Sequence, residues 1–344
     1  MTRVAVALSG GVDSAVTAAL LLEQGYEVIG LTGKMTCSDD FEQVVKNAKN
    51  VANKLGIEHC TYDATELFDE KVIKYFENSY AKGETPNPCI MCNKHIKWGC
   101  LFDYAIKELN ADYIATGHYA NIKNENGIYK LHPASDEHKD QLYFLFTLTQ
   151  EQLSKTLFPL SDYKKSDVKE LAEKYDLPPK SAKESQDICF IKAPMTTKKY
   201  LNDLFTPNTG NFVEKSTGKV LGKHDGFWQY TIGQRKGIGI AAPEPLYVID
   251  IEAESNTVYV DKQSELYSNT LNLDKIEFSY QFDEIEFEAL VKIRYNMQAI
   301  KAVVKKETDS WVINFAEPVS AITKGQACVF YDIYNGHLIG GSFI

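Results

Sequence analysis

The stretch SGGVDS, Ser9–Ser14, lies between two segments of different pattern. An apolar run, Val4–Leu8, precedes it and is typical of a buried strand, and Asp13–Gln24 follows with helical spacing and Gly25 as a stop. A glycine-rich turn between a parallel strand and a helix exposes backbone N–H groups at the helix N-terminus, where the helix dipole also favours an anion. This stretch therefore predicts a phosphate-binding loop in an α/β fold.

The residue types of the loop fit a phosphate ligand. Gly10 and Gly11 allow the backbone to approach phosphate oxygens closely, and Ser9 and Ser14 add hydroxyl donors. Asp13, in the first helical turn, can cap the helix or hold Mg²⁺. The lysine of the GxxxxGK[ST] motif is missing, which argues against a kinase-like or GTPase-like γ-phosphate site. A tight turn that binds nothing is the alternative.

The first 200 residues continue the alternation of strands and helices. The pattern predicts strands at Glu27–Leu31, Glu58–Tyr62 and Tyr113–Thr116, and helices at Phe41–Leu55, Phe68–Tyr80 and Trp98–Leu109. Alternation at this pitch is typical of a parallel sheet that is covered on both faces.

After about residue 200 the pattern changes to short strands between glycine turns. The predicted strands are Gly210–Val213, Val220–Leu221, Tyr230–Ile232 and Leu246–Ile251, and alternating segments follow from about residue 285 to the end. Such spacing indicates a small antiparallel barrel. We expect an α/β domain at 1–200, a small mixed central domain at 201–270 and a C-terminal β-barrel at 271–344.

Composition limits the class of protein. The 344 residues are 44% hydrophobic, and the net charge is −10, which by itself argues against a nucleic-acid partner. Lys and Arg nevertheless outnumber Asp and Glu in 155–199 and 212–237, so a polyanion could dock on the middle of the chain. No apolar run reaches the roughly 18–20 residues of a membrane span, and the N-terminus lacks a signal-peptide layout, so a cytoplasmic protein is expected.

Cysteine usage indicates reactive thiols. The seven cysteines are Cys37, Cys60, Cys89, Cys92, Cys100, Cys189 and Cys328. An odd number, spread over a long chain, argues against a structural disulfide framework, so any disulfide bond would be transient and catalytic.

Two segments place cysteines in loops. TPNPCIMCNKHIKW, Thr85–Trp98, contains two prolines that predict an extended loop, and KESQDICFI, Lys183–Ile191, contains Cys189. Sulfur chemistry needs a thiolate nucleophile and a second thiol that resolves a persulfide or disulfide. Both segments could lie over the carboxyl edge of the sheet, where open α/β sheets bind ligands.

Three other uses of these cysteines stay open at this point. Cysteine is often a small buried hydrophobe. Cys89, Cys92, His95 and Cys100 have the ligand types of a zinc site, although their spacing is not that of a standard finger or ribbon. Cys89, Cys92 and Cys189 could hold an iron–sulfur cluster with one iron open for sulfur delivery.

Taken together, the motifs resemble those of the tRNA-specific 2-thiouridylases, a family of PP-loop ATPases. The matching motifs are ALSGGVDS at 7–14, TPNPC..CN..IK at 85–97, ATGHYA at 115–120, KDQLYFL at 139–145, SQDICFI at 185–191, YTIGQRKGIG at 230–239, KIRY at 292–295 and GQA.VFY at 325–331. The resemblance implies ATP-dependent 2-thiolation of the wobble uridine of tRNA, by adenylylation of O2 and transfer of persulfide sulfur. It also implies Mg²⁺, a sulfur-relay protein or cysteine desulfurase as partner, a monomer and no membrane.

The resemblance assigns roles to individual residues. ATP would be held by Ala7, Leu8, Ser9, Gly10, Gly11, Val12, Asp13 and Ser14, with Gly33 and Gly117. The target base would face Asn87, Pro88 and Cys89, and the rest of the tRNA would contact His118, Lys139, Asp140, Gln141, Arg294, Tyr295 and Gln326. Cys92 would be the nucleophile and Cys189 the persulfide carrier.

Two positions depart from the family pattern. Gly33 stands where the family usually has a bulkier residue at the nucleotide, and Cys89 stands where one familiar version of the loop has aspartate. The second departure leaves open whether residue 89 is an acid/base group, a thiol or a cluster ligand.

Overall fold

A computed structural model describes residues 1–36, 39–178, 188–192 and 194–344, without the side chains of residues 39 and 40. Cys37 and the first five residues of the Lys183–Ile191 segment lie outside the described residues. No helix in the described part of the chain is long and apolar enough to cross a membrane.

The N-terminal part is built on a parallel sheet, as the sequence predicts. Its five strands have the order β3-β2-β1-β4-β7, and every neighbouring pair is parallel. The strands of this part are β1 (Arg3–Ala7), β2 (Glu27–Lys34), β3 (Glu58–Asp63), β4 (Tyr113–Ala115) and β7 (Thr156–Leu157), with a separate hairpin of β5 (Asn121–Glu125) and β6 (Ile128–His132).

Helices cover both faces of this sheet. The helices of this part are α1 (Val12–Glu23), α2 (Asp39–Leu55), α3 (Thr65–Phe68), α4 (Lys74–Ala81), α5 (Pro88–Cys92), α6 (Leu101–Lys107), α7 (Gln150–Ser154) and α8 (Lys165–Lys174). A further helix, α9 (Thr197–Leu204), packs against the central part of the chain. The residues of α1 from Ser14 to Leu21 are all buried, because this helix packs between the sheet and its neighbours α2 and α8. Its lack of a polar face follows from that position.

Two helical predictions differ from the structure in detail. The predicted helix at Phe68–Tyr80 is divided by a π-helical segment, Asp69–Ile73, and a second π-helical segment, Asn93–Cys100, precedes α6. The predicted extended loop at Thr85–Trp98 is wrong, because α5 begins at Pro88. Proline suits the first helical position, where its fixed φ matches the helix and its missing N–H costs no hydrogen bond.

A small mixed sheet follows. Its strands are β8 (Gly210–Glu214), β9 (Val220–His224), β10 (Tyr247–Glu252) and β11 (Thr257–Asp261), in the order β10-β11-β8-β9, and β11 and β8 are parallel. The predicted strand at Tyr230–Ile232 is wrong. This segment turns sharply, since the N–H of Gly233, with φ +86°, donates to the Val248 carbonyl, and the Tyr230 ring packs on Phe212 instead of alternating along a strand.

The C-terminal part is a curled antiparallel sheet, a half-barrel of seven strands in the order β12-β16-β15-β14-β17-β18-β13. The strands are β12 (Tyr267–Leu273), β13 (Glu277–Phe278), β14 (Glu286–Lys292), β15 (Ile300–Lys306), β16 (Trp311–Ser320), β17 (Ala327–Tyr331) and β18 (Leu338–Phe343). Phe287, Ala289 and Val291 of β14 are buried while the residues between them are more exposed, which is the expected period of two.

Candidate active site

The phosphate loop, Ser9–Ser14, leaves the carboxyl end of β1 and enters α1, as its sequence predicts. Gly11 precedes α1 with extended φ and ψ, and it has no side chain that could cap the helix. The N–H groups of the first helical turn are therefore not occupied by a capping side chain and can bind another acceptor. Gly10 has φ +73°, and a Cβ built on it would lie 2.9 Å from the Val44 carbonyl oxygen. Glycine is required here by both the backbone conformation and the close approach of α2.

The two serines of the loop hold its shape. The Ser9 N–H donates to Ser14 Oγ at 3.1 Å, and the Ser14 hydroxyl donates to the Gly11 carbonyl at 3.0 Å. The Gly11 N–H reaches Ser9 Oγ at 3.4 Å. These hydroxyls therefore act first on the loop itself.

Asp13 is the anionic residue of the loop, and its carboxylate is already engaged. Lys165 Nζ, at the start of α8, lies 2.6 Å and 2.7 Å from its two oxygens, and the Tyr119 hydroxyl donates to Oδ1 at 3.1 Å. Gly117 makes this close packing possible, because a Cβ built on it would lie 2.9 Å from Asp13 Cβ. The motif did not predict Lys165, which is 152 residues from Asp13.

The remaining residues predicted to hold ATP lie around the start of the loop. Ala7 ends β1, and Leu8, 2% exposed, packs in the core. Gly33 lies in β2, where a Cβ would approach Leu101 Cδ1 to 2.9 Å, so the space that a bulkier residue would fill is occupied by Leu101. The structure thus gives Gly33 a packing role, and its contact with a nucleotide stays a prediction.

The structure brings together the thiols of Cys89, Cys92 and Cys189. Burial raises the pKa of the Cys92 thiol to about 12, the proximity of Cys189 and Cys89 acts in the same direction, and the Lys97 charge opposes both. Burial likewise raises the pKa of Cys189 to about 11, and Cys89 adds to that rise. Because Cys89 and Cys189 both act on the pKa of Cys92, the fold brings residues 92 and 189 close together although they are 97 positions apart in the sequence.

The three thiols differ in exposure. Cys92 is 8% exposed, whereas Cys89 and Cys189 present surface to solvent even though protein atoms crowd both sulfurs and raise their pKa values. The exposed pair can therefore meet a macromolecular substrate or a sulfur donor, while Cys92 lies beneath them on α5.

Lys97 is the cation of this thiol cluster. Its charge acts against the raised pKa of Cys89, Cys92 and Cys189, and its Nζ lies 3.2 Å from His118 Nε2. Sequence reasoning placed Lys97 in a matching motif but gave it no role.

His118 is the residue that Lys97 contacts, and it is neutral. Burial lowers its pKa well below the ordinary value, and the Lys97 charge adds to this effect. Since an ammonium group only donates, Nε2 accepts from Lys97, and Nδ1 carries the proton and donates to Thr116 Oγ1 at 2.7 Å. The ring packs beside Trp98 and Phe158.

The chain matches known protein families along most of its length. Family models match residues 2–193 (tRNA methyl transferase HUP domain), 198–262 (tRNA methyl transferase PRC-barrel domain) and 268–344 (aminomethyltransferase beta-barrel domain). The proteins named tRNA-specific 2-thiouridylase MnmA from Clostridium acetobutylicum and Carboxydothermus hydrogenoformans are each 44% identical to the chain over 99% of its length, which covers 99% and 97% of those proteins. The chain belongs to the tRNA-specific 2-thiouridylase family.

Similarity between this 2-thiouridylase family member and solved structures is weaker. A 4-thiouridine synthetase, solved as an RNA complex with bound ATP, is 20% identical over 55% of this chain and 44% of its own, with a TM-score of 0.38. The U34-tRNA thiolase NcsA of Methanococcus maripaludis, solved with a [4Fe-4S] cluster, is 23% identical over 53% of this chain and 62% of its own, with a TM-score of 0.37.

In this 2-thiouridylase family member, the segment before α5 is held by the C-terminal part of the chain. The Thr85 N–H donates to the Lys324 carbonyl at 2.8 Å, and Gln326 Nε2 donates to the Thr85 carbonyl at 2.8 Å. A Cβ on Gly325 would lie 3.0 Å from the Thr85 carbonyl carbon. Asn87 and Pro88, predicted to face the target base, join this held segment to Cys89.

Other residues predicted to contact tRNA also make internal bonds. The Tyr295 hydroxyl donates to the Asp140 carbonyl at 3.1 Å, and Arg294 donates to the Ser320 carbonyl at 2.9 Å. Gln141 Oε1 accepts from the Tyr119 N–H at 3.0 Å. Of these bonds, the one from Tyr295 to Asp140 links the half-barrel to the α/β part, and Lys139 lies in the turn before Asp140.

The described residues do not support the two metal alternatives. Among them, no group of three or more His, Cys, Asp or Glu side chains is placed to hold a metal ion. Cys89, Cys92 and Cys189 thus lie in one region, but neither they nor the zinc set of Cys89, Cys92, His95 and Cys100 are spaced as metal ligands in the part of the chain that the structure describes.

Two cavities lie away from these groups. One of about 440 Å³ is lined by residues that include Arg3, Glu58 and Cys60, at the amino ends of the strands and so at the opposite edge of the sheet from the phosphate loop. The other, of about 350 Å³, is formed by residues 235–246 of the central part. Neither cavity is lined by Cys89, Cys92 or Cys189.

Proposed function

We propose that the protein is an ATP-dependent tRNA sulfurtransferase, which replaces O2 of the wobble uridine by sulfur. The observation that carries this proposal is the cluster of Cys89, Cys92 and Cys189 around Lys97, in a chain that also has an open phosphate loop. The family models are described by methyl transfer, whereas the curated relatives are named for thiolation. Three thiols beside a cation favour sulfur chemistry.

ATP would activate the uridine. O2 of the base attacks the α-phosphate, pyrophosphate leaves, and the adenylylated oxygen becomes a good leaving group. The N–H groups at the start of α1 would bind phosphate oxygens, and Mg²⁺, if held by Asp13, would neutralise their charge. Asp13 would first have to exchange its contact with Lys165.

Sulfur would then pass through the two cysteines. A sulfur donor first converts the thiol of Cys189 into a persulfide, Cys–S–SH. The Cys92 thiolate attacks the inner sulfur, forms a Cys92–Cys189 disulfide and releases hydrosulfide, which adds to C2 and expels AMP. A proton is lost as the thiocarbonyl forms. An external dithiol must reduce the disulfide before the next cycle.

Lys97 would act by stabilising the thiolate. With its pKa raised to about 12, the Cys92 thiol is protonated at neutral pH, so the reaction depends on the small thiolate fraction. The Lys97 charge acts in the opposite direction to burial and makes that fraction larger.

The larger organisation forms part of the proposal. Residues 1–200 would carry out the catalysis, and residues 201–270 would connect this part to the C-terminal part. Residues 271–344 would bind tRNA, with Gln326, Arg294 and Tyr295 near the substrate. The protein would act as a cytoplasmic monomer and receive its sulfur from a relay protein or a cysteine desulfurase. No step is proposed through an iron–sulfur cluster, because the described positions of Cys89, Cys92 and Cys189 do not form a metal-holding group.

Labelled-sulfur transfer tests this function. Cys189→Ser should form adenylylated tRNA and release pyrophosphate but accept no sulfur, and Cys92→Ser should accept sulfur on Cys189 without passing it on. Cys60→Ser is the matched control, because its half-buried thiol lies outside the cluster and donates to the Gly30 carbonyl, which a hydroxyl can also do. Full thiolation by the Cys92→Ser/Cys189→Ser variant would overturn the proposal. Iron bound by anaerobically purified protein and lost in Cys89→Ser would favour the cluster instead.

A further inference from the structure

Lys165 is a cation held at the phosphate loop by a distant part of the chain. Its Nζ contacts both carboxylate oxygens of Asp13, and its side chain is only 12% exposed, against 32% for Asp13. It therefore lies on the inner side of the pair, against the protein.

The surroundings of Lys165 fix its position. Its backbone N–H donates to Asp136 Oδ2 at 2.9 Å, which anchors the start of α8. Its Nζ lies 5.8 Å from the centre of the Tyr119 ring, whose hydroxyl donates to the same Asp13 carboxylate. Helix α1, which follows the phosphate loop, packs against helix α8, which begins at Lys165. The fold thus places Lys165 beside the phosphate loop.

The phosphate loop needs such a cation. It lacks the lysine that follows the glycines in the GxxxxGK[ST] motif, and the residue at its first helical turn is an anion, Asp13. A polyphosphate that approaches the open start of α1 would be repelled by an uncompensated Asp13. Lys165 is a cation that the structure brings to this point.

We propose that Lys165 is the phosphate-binding lysine of the loop. Without nucleotide it pairs with Asp13. When ATP binds, the ammonium group turns to the phosphate oxygens and stays with the pyrophosphate as it leaves, and Asp13 is released for a cation. This inference rests on the proposed use of ATP.

Nucleotide binding, measured by calorimetry in EDTA so that Mg²⁺ plays no part, tests the inference. Lys165→Met should weaken binding of both ATP and inorganic pyrophosphate about 10- to 100-fold, the range for losing a charge-assisted contact, and leave adenosine binding unchanged. Lys165→Arg should keep most of the affinity. Lys164→Met is the matched control, since Lys164 is the exposed neighbour and should bind as the wild type does.

A second variant separates phosphate binding from simple neutralisation of Asp13. Asp13→Asn should bind ATP at least as tightly as the wild type, and adding Lys165→Met to it should again cost about tenfold or more. If the double variant binds ATP as Asp13→Asn does, Lys165 only neutralises Asp13 and the inference is overturned. Unchanged thermal unfolding shows that the variants fold.

The test also separates this inference from the proposed function. Pyrophosphate binding that depends on Lys165, in a protein that binds no ATP, would contradict the proposed use of ATP and keep the role of Lys165. ATP binding that does not change when Lys165 is replaced would contradict the role of Lys165 and keep the proposed use of ATP.

Discussion

Replacing Lys97 by methionine should slow alkylation of Cys92 and Cys189 about tenfold. At pH 8 a thiol of pKa about 12 is ionised to roughly one part in 10⁴, and one of pKa about 11 to roughly one part in 10³. A nearby opposite charge lowers a pKa by roughly 1–3 units, so losing Lys97 should raise both values by about one unit. Alkylation proceeds through the thiolate and should fall by the same factor.

The assay is alkylation by a neutral reagent, followed residue by residue by mass spectrometry between pH 7 and 10. The base-10 logarithm of each alkylation rate should rise by one for every pH unit, in the wild type and in the variant. Plots of this logarithm against pH should therefore be parallel for the two proteins. Cys60 is the internal standard, because Glu58 and Arg3, and not Lys97, are the charges that act on its pKa. Lys94→Met is the matched variant on the same π-helical segment. Equal slowing at Cys60, or no slowing at Cys92 and Cys189, would refute the role given to Lys97.

Three further predictions concern the phosphate loop, the segment before α5 and the residues predicted to contact tRNA. Gly10→Val should abolish ATP binding in calorimetry, because its Cβ would lie 2.9 Å from the Val44 carbonyl at a φ of +73°; wild-type affinity would contradict the assigned loop geometry. Gln326→Ala removes the 2.8 Å bond to the Thr85 carbonyl and should destabilise the chain by about 1 kcal/mol and speed amide exchange before α5, whereas unchanged exchange would show that the bond holds nothing. The logarithm of the tRNA affinity should fall with the logarithm of salt by about 0.7–0.9 per phosphate neutralised, and Arg294→Glu should flatten that slope; a wild-type slope near zero would exclude RNA as the partner.

Local pattern was enough to predict much of the fold. The order of strand, glycine turn and helix at residues 4–24 predicts a parallel sheet and a glycine loop that leads into a helix, and both are present, while phosphate binding by that loop stays a prediction. These features depend on near neighbours in the sequence, namely apolar runs, glycine stops and helical spacing. The same local view fails at Thr85–Trp98, where two prolines suggest an extended loop and one of them in fact begins a helix.

Long-range partners could not be predicted in the same way. Lys165 meets Asp13 across 152 residues, and Lys97 meets His118 through a side-chain contact that no spacing indicates. The pairing of Cys92 with Cys189 came from chemical reasoning about sulfur transfer, and proximity in the fold supports it, while their roles stay predictions. The predicted strand at Tyr230–Ile232 is wrong because the Tyr230 ring packs in a core against Phe212. A pattern of three residues cannot distinguish such a buried turn from a strand.

In the proposed reaction, the internal bonds of the predicted RNA contacts would connect adenylylation with sulfur transfer. Gln141 bonds the Tyr119 N–H, and the Tyr119 hydroxyl bonds Asp13, so two hydrogen bonds join a predicted RNA contact to the phosphate loop. Gln326 bonds Thr85, four residues before Cys89 on α5. An RNA that displaces Gln141 must therefore disturb the partner of Asp13, and one that displaces Gln326 must free the segment that carries the thiols. Because one substrate would touch both supports, adenylylation and sulfur transfer should respond to the same binding event, and pyrophosphate release without tRNA should be slow.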